Sequence, residues 1–183
     1  MDKSELGYIP AVINPDVMSN KMLAENHLGG LNLNDQSYEI AFDALKQILQ
    51  MGFKVKRIIA DQVGPPGKQE FVMKKIVGYN LIRDIEIKCE RKADDKYPVV
   101  SAASIVAKVT RDRSLHNWNY PEHQGMTDES SLFHKEFGCG YPSDPKTKTW
   151  LKEHTDPVFG FPTIVRFSWG TAKKILDEKN IAI

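Results

Sequence analysis

Residues 54–61 read KVKRIIAD and residues 81–89 read LIRDIEIKC, with the segment 70–79, EFVMKKIVGY, between them. The first run is predicted to be a strand because residues 58–60 are consecutively apolar, and the second because apolar and charged residues alternate. The intervening segment is predicted to be helical. A strand, a helix and a second strand in this order form a parallel unit with a right-handed crossover. The sequence therefore predicts an α/β fold.

The flanking sequence predicts one further strand and several helices. The strand is expected over Leu6–Ile13, and the segment from Pro121 to Gly140 is expected to be an irregular loop. Prolines and short polar residues mark helix starts, and glycine marks a stop. The predicted helices are 15–22 after Asn14, 37–51 capped by Asn34 or Asp35 and stopped by Gly52, 98–117, 145–154 capped by Asp144, and 167–179.

Length and composition exclude several classes of protein. The chain has 183 residues, 41% of them hydrophobic and 27% charged, with a net charge of +1 and two cysteines. This length predicts a single domain, residues 1–183. No window of eighteen apolar residues and no basic-then-apolar start is present, and two cysteines do not form a disulfide framework. We expect a nuclear or cytoplasmic protein that is not secreted.

The charge is unevenly distributed along the chain. Residues 71–113 carry 10 basic and 6 acidic side chains, a net charge of +4. Such a stretch forms either a basic face for a polyanion or an ordinary solvated surface of mixed charge. Charge alone favours the ordinary surface.

Two aspartates follow the predicted strands. Asp61 closes the first strand, and Asp94 lies between the second strand and the long helix that follows. The carboxyl ends of neighbouring parallel strands meet at one edge of a sheet, where ligands gather. Two carboxylates there are hard oxygen ligands of the kind that Mg²⁺ or Mn²⁺ takes. The alternative for Asp61 is an Asx turn that starts the loop.

Three further residues suit nucleic-acid binding. Lys108 and Arg111 are three apart on a predicted helix and could grip a phosphate, or they are an ordinary exposed pair. Tyr141 lies in a glycine-rich loop, where its phenol could contact a ribose hydroxyl or stack on a nucleotide. The alternative is a tyrosine packed over a turn.

Taken together, several motifs resemble the type-2 ribonucleases H. The resemblance runs in order from about Leu6 to Leu176, and Pro157–Pro162 is most similar to the catalytic subunit of the eukaryotic members. The motifs are IADQVG at 59–64, KAD at 92–94, YPVVSAASI at 97–105, AKV at 107–109, GYPSDPKT at 140–147 and VRFSW at 165–169.

The resemblance implies an RNase H-like fold, a mixed five-stranded sheet flanked by helices, with a helical C-terminal part. It also implies metal-dependent hydrolysis of RNA in RNA/DNA hybrids and cleavage at single ribonucleotides in duplex DNA. Two divalent ions, Mg²⁺ or Mn²⁺, are the implied cofactors. Two accessory subunits of a heterotrimer are the implied protein partners.

The motifs also imply roles for individual residues. Asp61 matches a metal-ligand aspartate and Asp94 matches the fourth acidic residue of the family's site. Tyr141 matches the tyrosine that senses the ribonucleotide and its junction, and Lys108 resembles a contact to the substrate backbone. Arg111 remains a candidate from its spacing alone.

The sequence departs from the family at its start. The family's domain begins with a strand that ends in Asp-Glu-Ala-Gly-Arg-Gly-Pro, and no such segment occurs here. We therefore expect the first two strands, and two of the four carboxylates, to be absent. An N-terminally incomplete catalytic chain is the first hypothesis. A catalytically inactive binding or assembly module is the second, and a non-functional fragment is the third.

Overall fold

The computed structural model describes residues 7–23, 31–79, 85–123 and 136–179. Within these ranges, none of the helices combines the length and apolar character that crossing a bilayer requires. The elements in chain order are α1 Pro15–Leu23, α2 Leu33–Gln50, β1 Arg57–Asp61, α3 Lys68–Tyr79, β2 Glu86–Glu90, α4 Ala93–Lys96, α5 Pro98–His116, a 3-10 turn Pro121–His123, α6 Pro145–Glu153 and α7 Gly170–Glu178.

The chain divides into two compact units. The first unit comprises residues 1–12 and 31–113, and the second comprises residues 13–30 and 114–183. The first therefore holds β1, β2 and the helices around them, and the second holds α1, α6 and α7. That all 183 residues form a single domain stays a prediction.

The first unit is built on a two-stranded parallel sheet. β1 and β2 pair from Arg57 opposite Glu86 to Asp61 opposite Glu90, and α3 connects them. The predicted strand-helix-strand unit and the α/β fold class are confirmed. Because parallel strands end at the same edge, the register places Asp61 and Glu90 side by side at the carboxyl end of the sheet.

The core of the first unit lies where α2 and α3 cover the sheet. Its buried residues are Leu45 from α2, Met73 from α3 and Ile87 from β2. Burying side chains of this size is worth about 1.5–3 kcal/mol each relative to leaving them exposed. Partly buried neighbours extend this cluster: Ala41, Leu49, Val55, Ile58, Ile85 and Cys89.

Helix α2 begins earlier than the sequence predicts. Its N-cap is Asn32, whose side chain accepts hydrogen bonds from the backbone N–H groups of Asn34 and Asp35. Asn34 and Asp35 are therefore inside the helix, and the prediction that one of them is the cap is wrong. The stop at Gly52 is correct, since this residue follows the C-cap with φ +84°.

Two predicted strands differ from the structure. Residues 7–14 form neither helix nor strand, so the strand predicted over Leu6–Ile13 is wrong there, and Leu6 lies outside the described residues. A run of apolar residues makes a strand only where a neighbouring strand takes up its backbone hydrogen bonds. β1 begins at Arg57 rather than Lys54, and residues 81–84 of the second predicted strand lie outside the described ranges.

Helix α5 confirms the helix predicted over 98–117. Its small residues Ala103 and Ala107, which would allow a close approach to the sheet, are both exposed. Ile105 between them is 60% exposed, whereas Val100 in the first turn is buried. The small residues therefore do not mark a close helix–sheet contact in the first unit.

The second unit has its own apolar core, made by α6, α7 and the loop between them. Asp144 caps α6 as predicted, with Pro145 in the first turn, and α7 begins at Gly170, three residues later than predicted. A 3-10 turn opens the segment predicted to be irregular, and residues 124–135 lie outside the described ranges. The core residues are Trp150, Leu151, Phe161, Val165, Ala172, Ile175 and Leu176.

We predict that Leu151→Ala lowers the free energy of unfolding by about 2–5 kcal/mol, because Leu151 is 2% exposed and its removal leaves a cavity. Val158→Ala is the control and should change it by less than about 0.5 kcal/mol, since Val158 is 73% exposed. Urea denaturation followed by circular dichroism measures both. Equal effects of the two variants would contradict the assignment of this core.

Candidate active site

Asp61 connects the end of β1 to the beginning of α4. Its carboxylate Oδ1 accepts a hydrogen bond from the backbone N–H of Ala93 at 3.1 Å. Asp94 directly follows Ala93 in the sequence. The N–H of Gln62 donates to the carbonyl of Glu90 at 2.9 Å, which extends the strand pairing one step past β1. The structure therefore brings Asp61 and the segment that carries Asp94 to the same end of the sheet.

The short helix α4 was not predicted from the sequence. Asp94 is exposed in its first turn. Lys92 occupies the N-cap position with φ +54°, and its side chain makes no capping hydrogen bond. The first N–H groups of a helix need an acceptor from outside the helix. Asp61 supplies one acceptor from β1, so its carboxylate caps the N-terminus of α4 from the neighbouring strand.

We call the carboxyl ends of β1 and β2, together with the first turn of α4, the carboxylate edge. Glu90, the last residue of β2, connects the strand to α4 through its side chain. Its carboxylate pairs with Lys88 at 2.9 Å and Lys96 at 3.1 Å, and accepts a hydrogen bond from the Tyr97 hydroxyl at 3.3 Å. The hydrogen bonds from the two lysines lower the pKa of Glu90 to about 2. Glu90 therefore stays ionised and joins β2 to the C-terminal end of α4.

The loop that follows Asp61 is fixed by two buried polar side chains. Tyr38 donates its hydroxyl hydrogen to the carbonyl of Val63 at 2.9 Å, and the side-chain oxygen of Gln69 accepts from the Val63 N–H at 2.8 Å. Gly64 has φ +72°, and a Cβ there would lie 2.7 Å from the Tyr38 hydroxyl. The loop is thus held in one conformation beside the carboxylate edge.

The donor set of this edge suits a hard cation. Asp61 keeps one oxygen beyond the one bonded to Ala93, and Asp94 is exposed to solvent. One or two carboxylates are the usual protein ligands of Mg²⁺, which keeps several waters and takes up substrate phosphates. In the described part of the chain, no three His, Cys, Asp or Glu side chains gather closely enough to form a larger metal-binding group.

Lys108 and Arg111 lie on α5, in the first unit, and both are exposed. Arg111 forms an ion pair with its chain neighbour Asp112 at 2.9 Å. An exposed pair of this kind contributes little to stability and is easily exchanged for another anion. Phosphate binding by these two residues stays a prediction.

Tyr141 belongs to the second unit, where it is 59% exposed at the end of a tight loop. This exposure suits contact with a nucleotide, and both interpretations of the residue stay predictions. Gly138 supports the loop with φ +72°, a conformation that a residue with a Cβ rarely adopts.

The Tyr141 loop, residues 137–144, is fixed by hydrogen bonds to the side chains of Asp144 and Thr147 at the start of α6. The carboxylate of Asp144 accepts hydrogen bonds from the N–H groups of Cys139 at 2.8 Å and Lys146 at 3.0 Å. The buried hydroxyl of Thr147 accepts from the Gly140 N–H at 3.0 Å and lies 2.7 Å from the Phe137 carbonyl. The bond from the Cys139 N–H is the main cause that lowers the pKa of Asp144 to about 2.

We predict that Asp144→Asn lowers the thermal midpoint at pH 7. The folded-state pKa of Asp144 lies below the unfolded value, so its ionised carboxylate stabilises the fold above about pH 4, and this contribution is lost as the pH falls towards 2. The wild-type midpoint should therefore fall more steeply than that of the variant between pH 4 and pH 2, as measured by scanning calorimetry.

Thr147→Val is the matched control for this prediction. It removes a hydrogen-bonding group from the same loop and leaves the Asp144 charge in place. This variant should also lose stability at pH 7 but keep the steep decline below pH 4. Parallel pH curves for wild type and Asp144→Asn would contradict the role of this carboxylate.

Comparison with known proteins shows the family of the chain. The family model described as Ribonuclease HII matches residues 4–172. The chain is 44% identical to the A subunit of Ribonuclease H2 from Arabidopsis thaliana over 171 residues, 93% of this chain and 53% of the relative. It is 39% identical to the Rattus norvegicus protein of the same name over 180 residues, 97% of this chain and 54% of the relative.

The Homo sapiens protein of that name is 39% identical over 178 residues, 97% of this chain and 55% of the relative. The chain thus spans about half the length of the curated relatives that it matches. The matched part contains the strand-helix-strand unit, the carboxylate edge and the Tyr141 loop, the features on which the resemblance noted in the sequence depends. On this evidence the chain belongs to the ribonuclease HII family.

Proposed function

We propose that this chain carries part of the active site of a ribonuclease H that hydrolyses the RNA strand of RNA/DNA hybrids and cleaves 5′ of single ribonucleotides in duplex DNA. The observation that carries the proposal is the hydrogen bond from the Ala93 N–H to Asp61, which joins the two carboxylate-bearing segments at one sheet edge. Family membership supports the reaction class, and the names of the relatives support a role as one component of a larger nuclease.

Asp61 and Asp94 are the residues that would hold divalent cations, Mg²⁺ or Mn²⁺. Bound there, such ions would supply a water of lowered pKa for attack on the scissile phosphate and would neutralise the charge on the departing oxygen. Asp61 is well suited to this task because the Ala93 N–H fixes its carboxylate in one orientation. Glu90 is less suited, since two lysines already neutralise its charge.

The remaining site residues act on the nucleic acid. Tyr141 would stack on the ribonucleotide or contact its 2′-hydroxyl, the group that distinguishes RNA from DNA. Lys108 and Arg111 would bind backbone phosphates, which position a substrate without reading its sequence. All three side chains are exposed, as this task requires.

The proposal extends to protein partners and location. Each of the relatives carries the name of one lettered subunit, and this supports assembly with two accessory subunits into a heterotrimer. A nuclease that removes ribonucleotides from DNA works where DNA is replicated. We therefore propose that the chain acts in the nucleus or cytoplasm.

We predict that Asp61→Asn and Asp94→Asn each reduce cleavage of a labelled RNA/DNA hybrid in Mg²⁺ or Mn²⁺ by at least about a hundredfold, because each removes a charged ligand from the cation site. Asparagine keeps an oxygen that can accept the Ala93 N–H, so Asp61→Asn preserves the helix cap. Asp43→Asn, an exposed aspartate on α2, is the control and should cleave like wild type.

A duplex with a single embedded ribonucleotide is assayed in parallel, with products resolved on a sequencing gel. Cleavage that persists in both aspartate variants would contradict the assignment of the carboxylate edge. A wild-type chain that binds both duplexes and cuts neither, in either metal, would instead identify the inactive binding or assembly module.

A further inference from the structure

Lys92 stands out because its backbone conformation does not suit a lysine. Among the non-glycine residues that the structure describes, it is the one with positive φ, +54°. Left-handed backbone is unfavourable for residues with a Cβ, and glycine or asparagine normally occupies it. Outliers of this kind are retained mainly where the side chain or the local geometry has a function.

The N-cap position makes a lysine doubly unfavourable. Asn, Asp, Ser, Thr and Gly are the preferred N-cap residues, since their side chains accept the first helical N–H groups or impose no steric cost. Lys92 makes no capping hydrogen bond, and Asp61 caps α4 in its place. Nothing in the local structure therefore accounts for a lysine here, and the long cationic side chain itself is the feature that remains to be explained.

Lys92 differs from the neighbouring lysines in its ion pairing. Lys88 and Lys96 both pair with Glu90, at 2.9 and 3.1 Å. Lys92 lies between them in the sequence, is exposed, and forms no ion pair with any residue that the structure describes. The carboxylate edge thus carries two exposed cations, Lys92 and its chain neighbour Arg91, whose charges are not taken up by Glu90.

We propose that Lys92 binds a phosphate of the nucleic-acid backbone beside Asp61 and Asp94, and that this contact is the reason for a lysine in left-handed conformation at the start of α4. The inference rests on the proposed function. Residues 71–113, in which Lys92 lies, carry a net charge of +4, which suits a polyanionic ligand. A lysine acts there as a point charge on a flexible stem and needs no fixed hydrogen-bond geometry.

The test uses the full chain and an RNA/DNA hybrid labelled with a fluorophore, in EDTA so that no cleavage occurs. Fluorescence anisotropy gives the Kd at NaCl concentrations of about 50–400 mM, the range in which counterion release is resolved. Loss of one phosphate contact lowers the slope of log K against log salt by about 0.9. Lys92→Asn should therefore bind about eightfold more weakly than wild type at about 0.1 M salt, with the deficit shrinking as salt rises.

Two further variants separate the charge from the backbone. Lys92→Arg keeps the cation and should retain the wild-type slope, whereas Lys92→Gly should lose it as Lys92→Asn does. Asparagine and glycine both suit left-handed backbone, so their thermal midpoints should equal or exceed that of wild type. A fall in midpoint together with weaker binding would overturn the proposal, because the lysine would then serve the fold.

Lys56→Gln is the matched control. Lys56 is an exposed lysine just before β1, at the opposite end of the sheet, and its loss should leave the slope unchanged. Equal effects of Lys56→Gln and Lys92→Asn, or a wild-type slope in Lys92→Asn, would overturn the role of Lys92 and leave the proposed function standing. A wild-type chain that does not bind the hybrid at all would contradict the proposed function, and the inference with it.

Discussion

The hydrogen bond between the Asp61 carboxylate and the Ala93 N–H is the contact on which the site depends. It exists because β1 and β2 are parallel and paired in a register that ends both at one edge, Asp61 opposite Glu90. From there the chain has two residues in which to leave β2 and start α4. The aspartate of one strand then caps the helix that follows the other. A single polar contact thus fixes both the path of the backbone and the separation of two acidic segments.

The second unit uses the same device for its loop. Asp144 accepts N–H groups on both sides of a helix start, from Cys139 before it and Lys146 within it. In both units an aspartate carboxylate accepts backbone N–H groups near a helix start, where the helix itself supplies no acceptor. Each aspartate has an exposed candidate site residue beside it. For Asp61 this neighbour is Asp94, and for Asp144 it is Tyr141. Carboxylate capping is therefore how this chain holds the backbone beside its candidate site residues.

The sequence predicted the features that depend on local pattern. The α/β class, the parallel unit, α3, α5 and the Asp144 cap follow from periodicity and short-range capping chemistry, and the structure confirms them. The strand predicted over residues 6–13 failed, since its apolar residues indicate a strand only when a partner strand lies alongside.

The parts of the site that escaped prediction depend on contacts distant in sequence. Asp61 and Ala93 are 32 residues apart, and Tyr38 reaches Val63 across 25. Neither pairing leaves a local signal, and a four-residue helix such as α4 is too short to show a period. The positive φ of Lys92 was equally invisible, because a lysine gives no hint of left-handed backbone. Asp61 and Asp94 were identified as a pair because strand ends meet at one sheet edge and because both match acidic residues in motifs of the family.

We propose that the edge formed by Asp61 and the first turn of α4 takes up a divalent cation. Titration of Mg²⁺ into the ¹⁵N-labelled chain, followed by amide chemical shifts, should then give saturable shifts at Asp61, Gln62, Ala93 and Asp94. Arg57 and Glu86, at the other end of the same two strands, should show none. Shifts centred on other carboxylates, with the Ala93 amide unmoved at saturation, would contradict a cation site at this edge.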